Sequence, residues 1–175
     1  MNNQIPQTPT LTSFEIMIQI MDDIEKVDPE KIDKNEYPTL KRRCTRAIEL
    51  SIKGTCERLE LGLKCEEEFD FSEGLKNRYK KKYGIVDFII TNPNGSKIAI
   101  ELDSRNKRLS YAKLEELSER GYDTFWVQHR FNIFSAPYKS SYKDDSYLKH
   151  YRKHGYTNKN VSIIKHIFHP TTFEN

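Results

Sequence analysis

Cysteine is scarce in this chain, and long apolar runs are missing. The three cysteines, Cys44, Cys56 and Cys65, form neither a C-x-x-C pair nor an even set, which argues against a disulfide framework or a zinc knuckle and fits a reducing compartment. No apolar stretch approaches the roughly 18 residues needed to cross a bilayer, and the opening MNNQIPQTPT has no cationic segment followed by an apolar one. These absences predict a cytoplasmic protein with no membrane partner. An excess of one charge is also nearly absent. The 29 Lys and Arg against 26 Asp and Glu leave a net +3, which permits a polyanionic partner without demanding one. No internal repeat is visible.

What is present describes a folded, polar-surfaced protein. Charged residues make up 31% and hydrophobic ones 36%, and 10 Tyr and 9 Phe give more aromatic surface than disordered chains carry. A length of 175 residues suits one domain with one sizeable core. The chain divides into an N-terminal arm and helix over 1–37, a core over 38–130, and a C-terminal extension over 131–175 packed on the same domain.

An amphipathic helix is predicted from Thr12 or Ser13 to about Val27. Its stripe is Phe14, Met17, Ile18, Met21 and Ile24, packing on the core or on a second copy in a homodimer. Pro38 opens a longer helix whose face carries Leu40, Cys44, Ile48, Ile52, Cys56, Leu59 and Leu63, with Glu49 and Glu60 along one edge. A strand follows over Lys64 to Phe71, then the densest basic run, Lys76, Arg78, Lys80, Lys81 and Lys82. From Ser104, read as an N-cap, a helix runs to Gly121, and DTFWVQH gives another strand. A strand, a crossover helix and a strand of these lengths suggest a parallel pair. Beyond Arg130 the pattern weakens.

The segment YGIVDFIITNPNGSKIAIELD carries the most information. Two β-rich runs flank Pro93-Asn94-Gly95, a three-residue hairpin loop in which Gly takes the left-handed position. With Asn92 facing Ser96, the register sets Asp87 opposite Glu101 and Ile85 opposite Asp103. Val86, Phe88, Ile90, Ile98, Ile100 and Leu102 then form an unbroken apolar face toward the core. The face with the acids also holds Ile85, Ile89 and Ala99, so the long helix is expected to cover it. Opposed carboxylates roughly 5 Å apart at Cβ repel unless compensated. Mg²⁺, a hard ion preferring oxygen ligands, is the simplest compensation and suits phosphodiester hydrolysis.

The order helix, strand, two-stranded hairpin, helix, strand, with Asp87 in GIVDFII and Glu101 and Asp103 in IAIELDS, resembles the αβββαβ core of PD-(D/E)xK, or restriction-endonuclease-like, nucleases over about residues 38–130. The resemblance implies an α/β fold with a mixed central sheet of about four strands flanked by helices. It further implies that Asp87 and Glu101 bind Mg²⁺ or Mn²⁺. Where the family usually has Lys, this chain has Asp103, expected to bind metal or orient water. Lys107 or Arg108 is then the candidate for the missing positive charge, Glu49 for a catalytic contribution from the first helix, and Gln128 for a polar residue bordering the site.

DNA is the expected partner. The run from Lys76 to Lys82 precedes the strand bearing Asp87 and is placed to hold a phosphate backbone. Tyr138, Tyr142, Tyr147, Tyr151 and Tyr156, set among lysines and arginines, are candidates for stacking on unpaired bases. His129, His150, His154, His166 and His169 lack the spacing of a zinc site. The expected activity is a Mg²⁺-dependent endonuclease of restriction, repair or phage type. Two alternatives stay open: an inactive nuclease-fold module that binds nucleic acid or protein, and an oligomerising scaffold.

Overall fold

The computed structural model describes residues 11–104, 107–131 and 161–168. Its organising feature is the hairpin. Gly95 takes a φ of +86°, its N–H bonds the Asn92 carbonyl at 2.8 Å, and the Asn92 N–H bonds the Ser96 carbonyl at 2.9 Å. That turn joins β2 (Tyr83–Thr91) to β3 (Lys97–Asp103) in the register Thr91 to Lys97 and Phe88 to Ile100, as the loop chemistry predicts.

The sheet runs β1 (Gly62–Asp70), β2, β3, β4 (Asp123–Phe131) and β5 (Val161–Phe168) in that order. The β1–β2 and β2–β3 pairs are antiparallel; the β3–β4 and β4–β5 pairs are parallel. The result is a mixed five-stranded sheet flanked by helices, one strand more than expected. The added strand is β5, inside the C-terminal extension.

Among the described residues four helices complete the fold: α1 (Ser13–Lys26), α2 (Leu40–Arg58), α3 (Glu73–Tyr79) and α4 (Arg108–Glu119). A single 3₁₀ turn at Pro29–Lys31 links the first two. Thr12 caps α1 in a reciprocal box with Glu15, satisfying N-terminal donors that would otherwise go unpaired. The buried stripe of α1 is Ile16, Met17, Ile20 and Ile24, while Phe14 and Ile18 face outward. Met17 and Ile24 of the expected stripe are buried and Met21 packs against the core, whereas Phe14 and Ile18 give way to Ile16 and Ile20 where the helix meets α2.

Each sheet face has its own cover. Phe88, Ile90, Ile98, Ile100, Leu102, Phe125 and Val127 pack beneath α1 and α2. Ile89, Ala99 and Trp126 pack beneath Tyr111, Ala112, Leu114 and Leu117 of α4. Two expectations change here. The face bearing the acids is roofed by α4 and not by the long helix α2, and Val86 joins the α4-side cluster. The crossover helix also starts at Arg108, so Ser104 is not its N-cap. Among the described residues no helix is long and apolar enough to cross a membrane.

Candidate functional site

The pairing of β2 with β3 closes at Phe88 and Ile100, one residue short of Asp87 and Glu101. There the Asp87 carboxylate replaces the missing backbone partner: its Oδ2 accepts the Leu102 N–H at 2.7 Å. Glu101 and Asp103, on the same side of β3, are both 2% exposed. Three acids therefore gather where the hairpin opens, close enough that Asp87 feels the charge of Asp103, and Glu101 that of Asp87.

Buried carboxylates are costly without partners, and α4 together with the residue before it supplies two. The Lys113 ammonium forms an ion pair with Glu101 Oε1 and donates to the Ile85 carbonyl. Lys107 Nζ lies 2.6 Å from Asp103 Oδ1, and Trp126 Nε1 donates to Asp103 Oδ2 at 3.0 Å. Glu101 Oε1 and Asp103 Oδ1 thus each face an ammonium group as ion-pair partners.

The electrostatics follow from burial. Desolvation pushes the Glu101 carboxyl up to about 7, with Asp87's charge adding to the rise and Lys113 opposing it. Burial also raises Asp87, against the stabilising Leu102 N–H. Lys107 is raised by its hydrogen bond to Asp103.

Among the described residues no set of three or more His, Cys, Asp or Glu side chains is grouped to hold a metal ion. Asp103 is turned to Lys107 and Trp126, which leaves Asp87 and Glu101 as the donor pair. Both offer carboxylate oxygen, the ligand type a hard divalent ion takes, and such an ion would share Glu101 Oε1 with the Lys113 ammonium.

The other candidates are dispersed. Glu49 lies on α2, which covers the opposite sheet face, and pairs with Arg46 at 3.1 Å. Gln128 stands beside Asp103 in the β3–β4 register, its Nε2 buried and without a hydrogen-bond partner among the described residues. His129 is buried on the α2 side, 3.2 Å from the Thr45 hydroxyl. Lys76 pairs with Glu73 on α3, Arg78 is exposed on the same helix, and Lys80 ends it in a left-handed conformation. Arg108 is exposed at the start of α4. Lys81 and Lys82 line a groove of about 470 Å³ with Phe71, Tyr83, Gly84, Ile85, Leu109 and Lys113. The tyrosine-rich segment 138–156, His150, His154 and His169 lie outside the described residues.

Lys113 is the site residue that the sequence reading missed. One signal for it was available: it sits four residues from both Leu109 and Leu117, on the edge of the helix face that meets the sheet.

No protein-family model matches the chain, and no curated protein matches it.

Proposed function

We propose that the chain is a metal-dependent nuclease of the restriction-endonuclease-like type that hydrolyses DNA phosphodiester bonds. One observation carries the reading: Asp87 and Glu101, from adjacent strands, meet at the open end of the hairpin with the Lys113 ammonium against Glu101. Asp103 stands where the resemblance expects a lysine. Lys113 brings a positive charge to Glu101 from α4, and a fixed cation there would stabilise charge developing on a phosphate.

Asp87 and Glu101 are the residues that would hold Mg²⁺ or Mn²⁺. Held there, such an ion would supply the polarisation of a phosphate oxygen and the acidification of a bound water. Lys81 and Lys82, on the groove beside Lys113, supply positive charge for a phosphate backbone.

A second reading has its own support. Lys107 and Lys113 already neutralise two of the acids, as a static ion-pair cluster in a non-catalytic DNA-binding or protein-interaction module would require. Incubating plasmid and single-stranded DNA with Mg²⁺ or Mn²⁺ separates the two. Cutting by the wild type that disappears in Asp87→Ala, Glu101→Ala and Lys113→Met supports the nuclease. Cutting that survives all three refutes the assignment, and DNA retention without cutting favours the module.

A further inference from the structure

The groove beside the acids has a composition of its own. Tyr83 and Ile85, on the same strand as Asp87, are 48% and 46% exposed and line the groove together. Together with Phe71 and Leu109 they give it apolar and aromatic walls, and Lys81, Lys82 and Lys113 add cations. Lys81 and Lys82 have no ion-pair partner among the described residues.

The shape depends on Gly84. Phe71 continues the β1–β2 pairing through its N–H to the Lys82 carbonyl at 3.0 Å, which brings its ring against Gly84. A Cβ at position 84 would fall well inside the contact distance of that ring. Glycine thus lets the buried Phe71 ring serve as part of the groove wall without closing it.

Apolar walls with an exposed aromatic ring and an unpaired cationic rim match one class of occupant: an unstacked nucleotide, whose base has an apolar face and whose phosphate is anionic. A base within intact duplex has its faces covered by its neighbours and cannot enter such a groove. We propose that this groove receives an unpaired nucleotide of single-stranded DNA next to the scissile phosphate, its base against Tyr83 and Ile85 and its phosphate at Lys81 and Lys82. The chain thereby selects single-stranded or locally opened DNA over intact duplex. This deepens the nuclease reading and rests on it for the position of the cut, while binding alone reports on the groove.

The test is fluorescence anisotropy with a short labelled oligothymidylate and a duplex of equal length, in EDTA so that no cutting intervenes. The expected result is tighter binding of the single strand. Tyr83→Ala and Ile85→Ala weaken it about fivefold or more each, and Tyr83→Phe retains it, because stacking needs the ring and not the hydroxyl. Lys81→Gln with Lys82→Gln weakens it further and flattens the salt dependence. Since Tyr83 and Ile85 are half exposed, circular dichroism is expected to show folded variants. Equal binding of duplex and single strand, or binding indifferent to Tyr83→Ala and to the Lys pair, overturns the proposal. A wild type that cuts DNA through Asp87 and Glu101 while failing these binding tests keeps the nuclease reading and loses only the groove. A protein that passes the binding tests but never cuts keeps the groove and loses the nuclease.

Discussion

Replacing Glu101 with Gln is expected to stabilise the protein, and by an amount that grows with pH. In the folded chain Glu101 titrates at about 7, against an ordinary 4.5 for the exposed group, with burial as the main cause. The sign follows from proton counting. Between those two values the unfolded chain has lost the proton that the folded chain still holds, so stability falls as pH rises. The contribution is complete below about 4.5 and gone above about 7. Gln copies the protonated form at every pH. The gap between Glu101→Gln and wild type is therefore about 1 kcal/mol near pH 5 and about 3 kcal/mol near pH 8. Urea unfolding of both proteins at the two pH values reads it directly. Mg²⁺ that binds the ionised carboxylates shrinks the gap at high pH, because it stabilises only the wild-type folded state. A Glu101→Gln protein less stable than wild type near pH 8, or a gap that does not change with pH, would refute the reasoning.

Three further outcomes follow from the same contacts. Lys113→Met leaves Glu101 buried without its counter-charge and is expected to cost about 3–5 kcal/mol near pH 8 in urea unfolding, with a smaller loss near pH 5 where Glu101 takes up a proton. Trp126→Phe removes the N–H donated to Asp103 and leaves that buried oxygen unsatisfied, a loss of about 1–3 kcal/mol in the same assay. Gly84→Ala drives a methyl into the Phe71 ring and should cost about 1–3 kcal/mol, and it should also weaken oligothymidylate binding by displacing that wall of the groove.

The parts of the fold visible in the sequence are those governed by local chemistry. Pro93-Asn94-Gly95 dictates its turn, and the turn dictates the register from Thr91 and Lys97 to Phe88 and Ile100, next to which Asp87 and Glu101 stand. Thr12 and Glu15 mark the start of α1 because capping is a contact between near neighbours. The misreadings come from choices made at a distance. Which face of FEIMIQIM turns inward depends on α2, and which helix roofs the acids depends on how the chain crosses the sheet. The strand Val161–Phe168 carries β-branched residues but is broken by Lys165 and His166, and its parallel partner lies far back in the sequence. Lys113 stayed hidden because its direction depends on where α4 begins, three residues later than an N-cap at Ser104 implies. Glu49 was aligned by its place on the helix, yet α2 lies across the other face of the sheet.

The claim that Asp87 and Glu101 jointly hold a divalent ion is tested most directly by titrating Mn²⁺ into the protein and following free Mn²⁺ by electron paramagnetic resonance. Specific binding is expected in the wild type above neutral pH, weakening as Glu101 takes up a proton and lost in both Asp87→Asn and Glu101→Gln. Absence of binding in the wild type, or binding unchanged in either variant, would contradict the account.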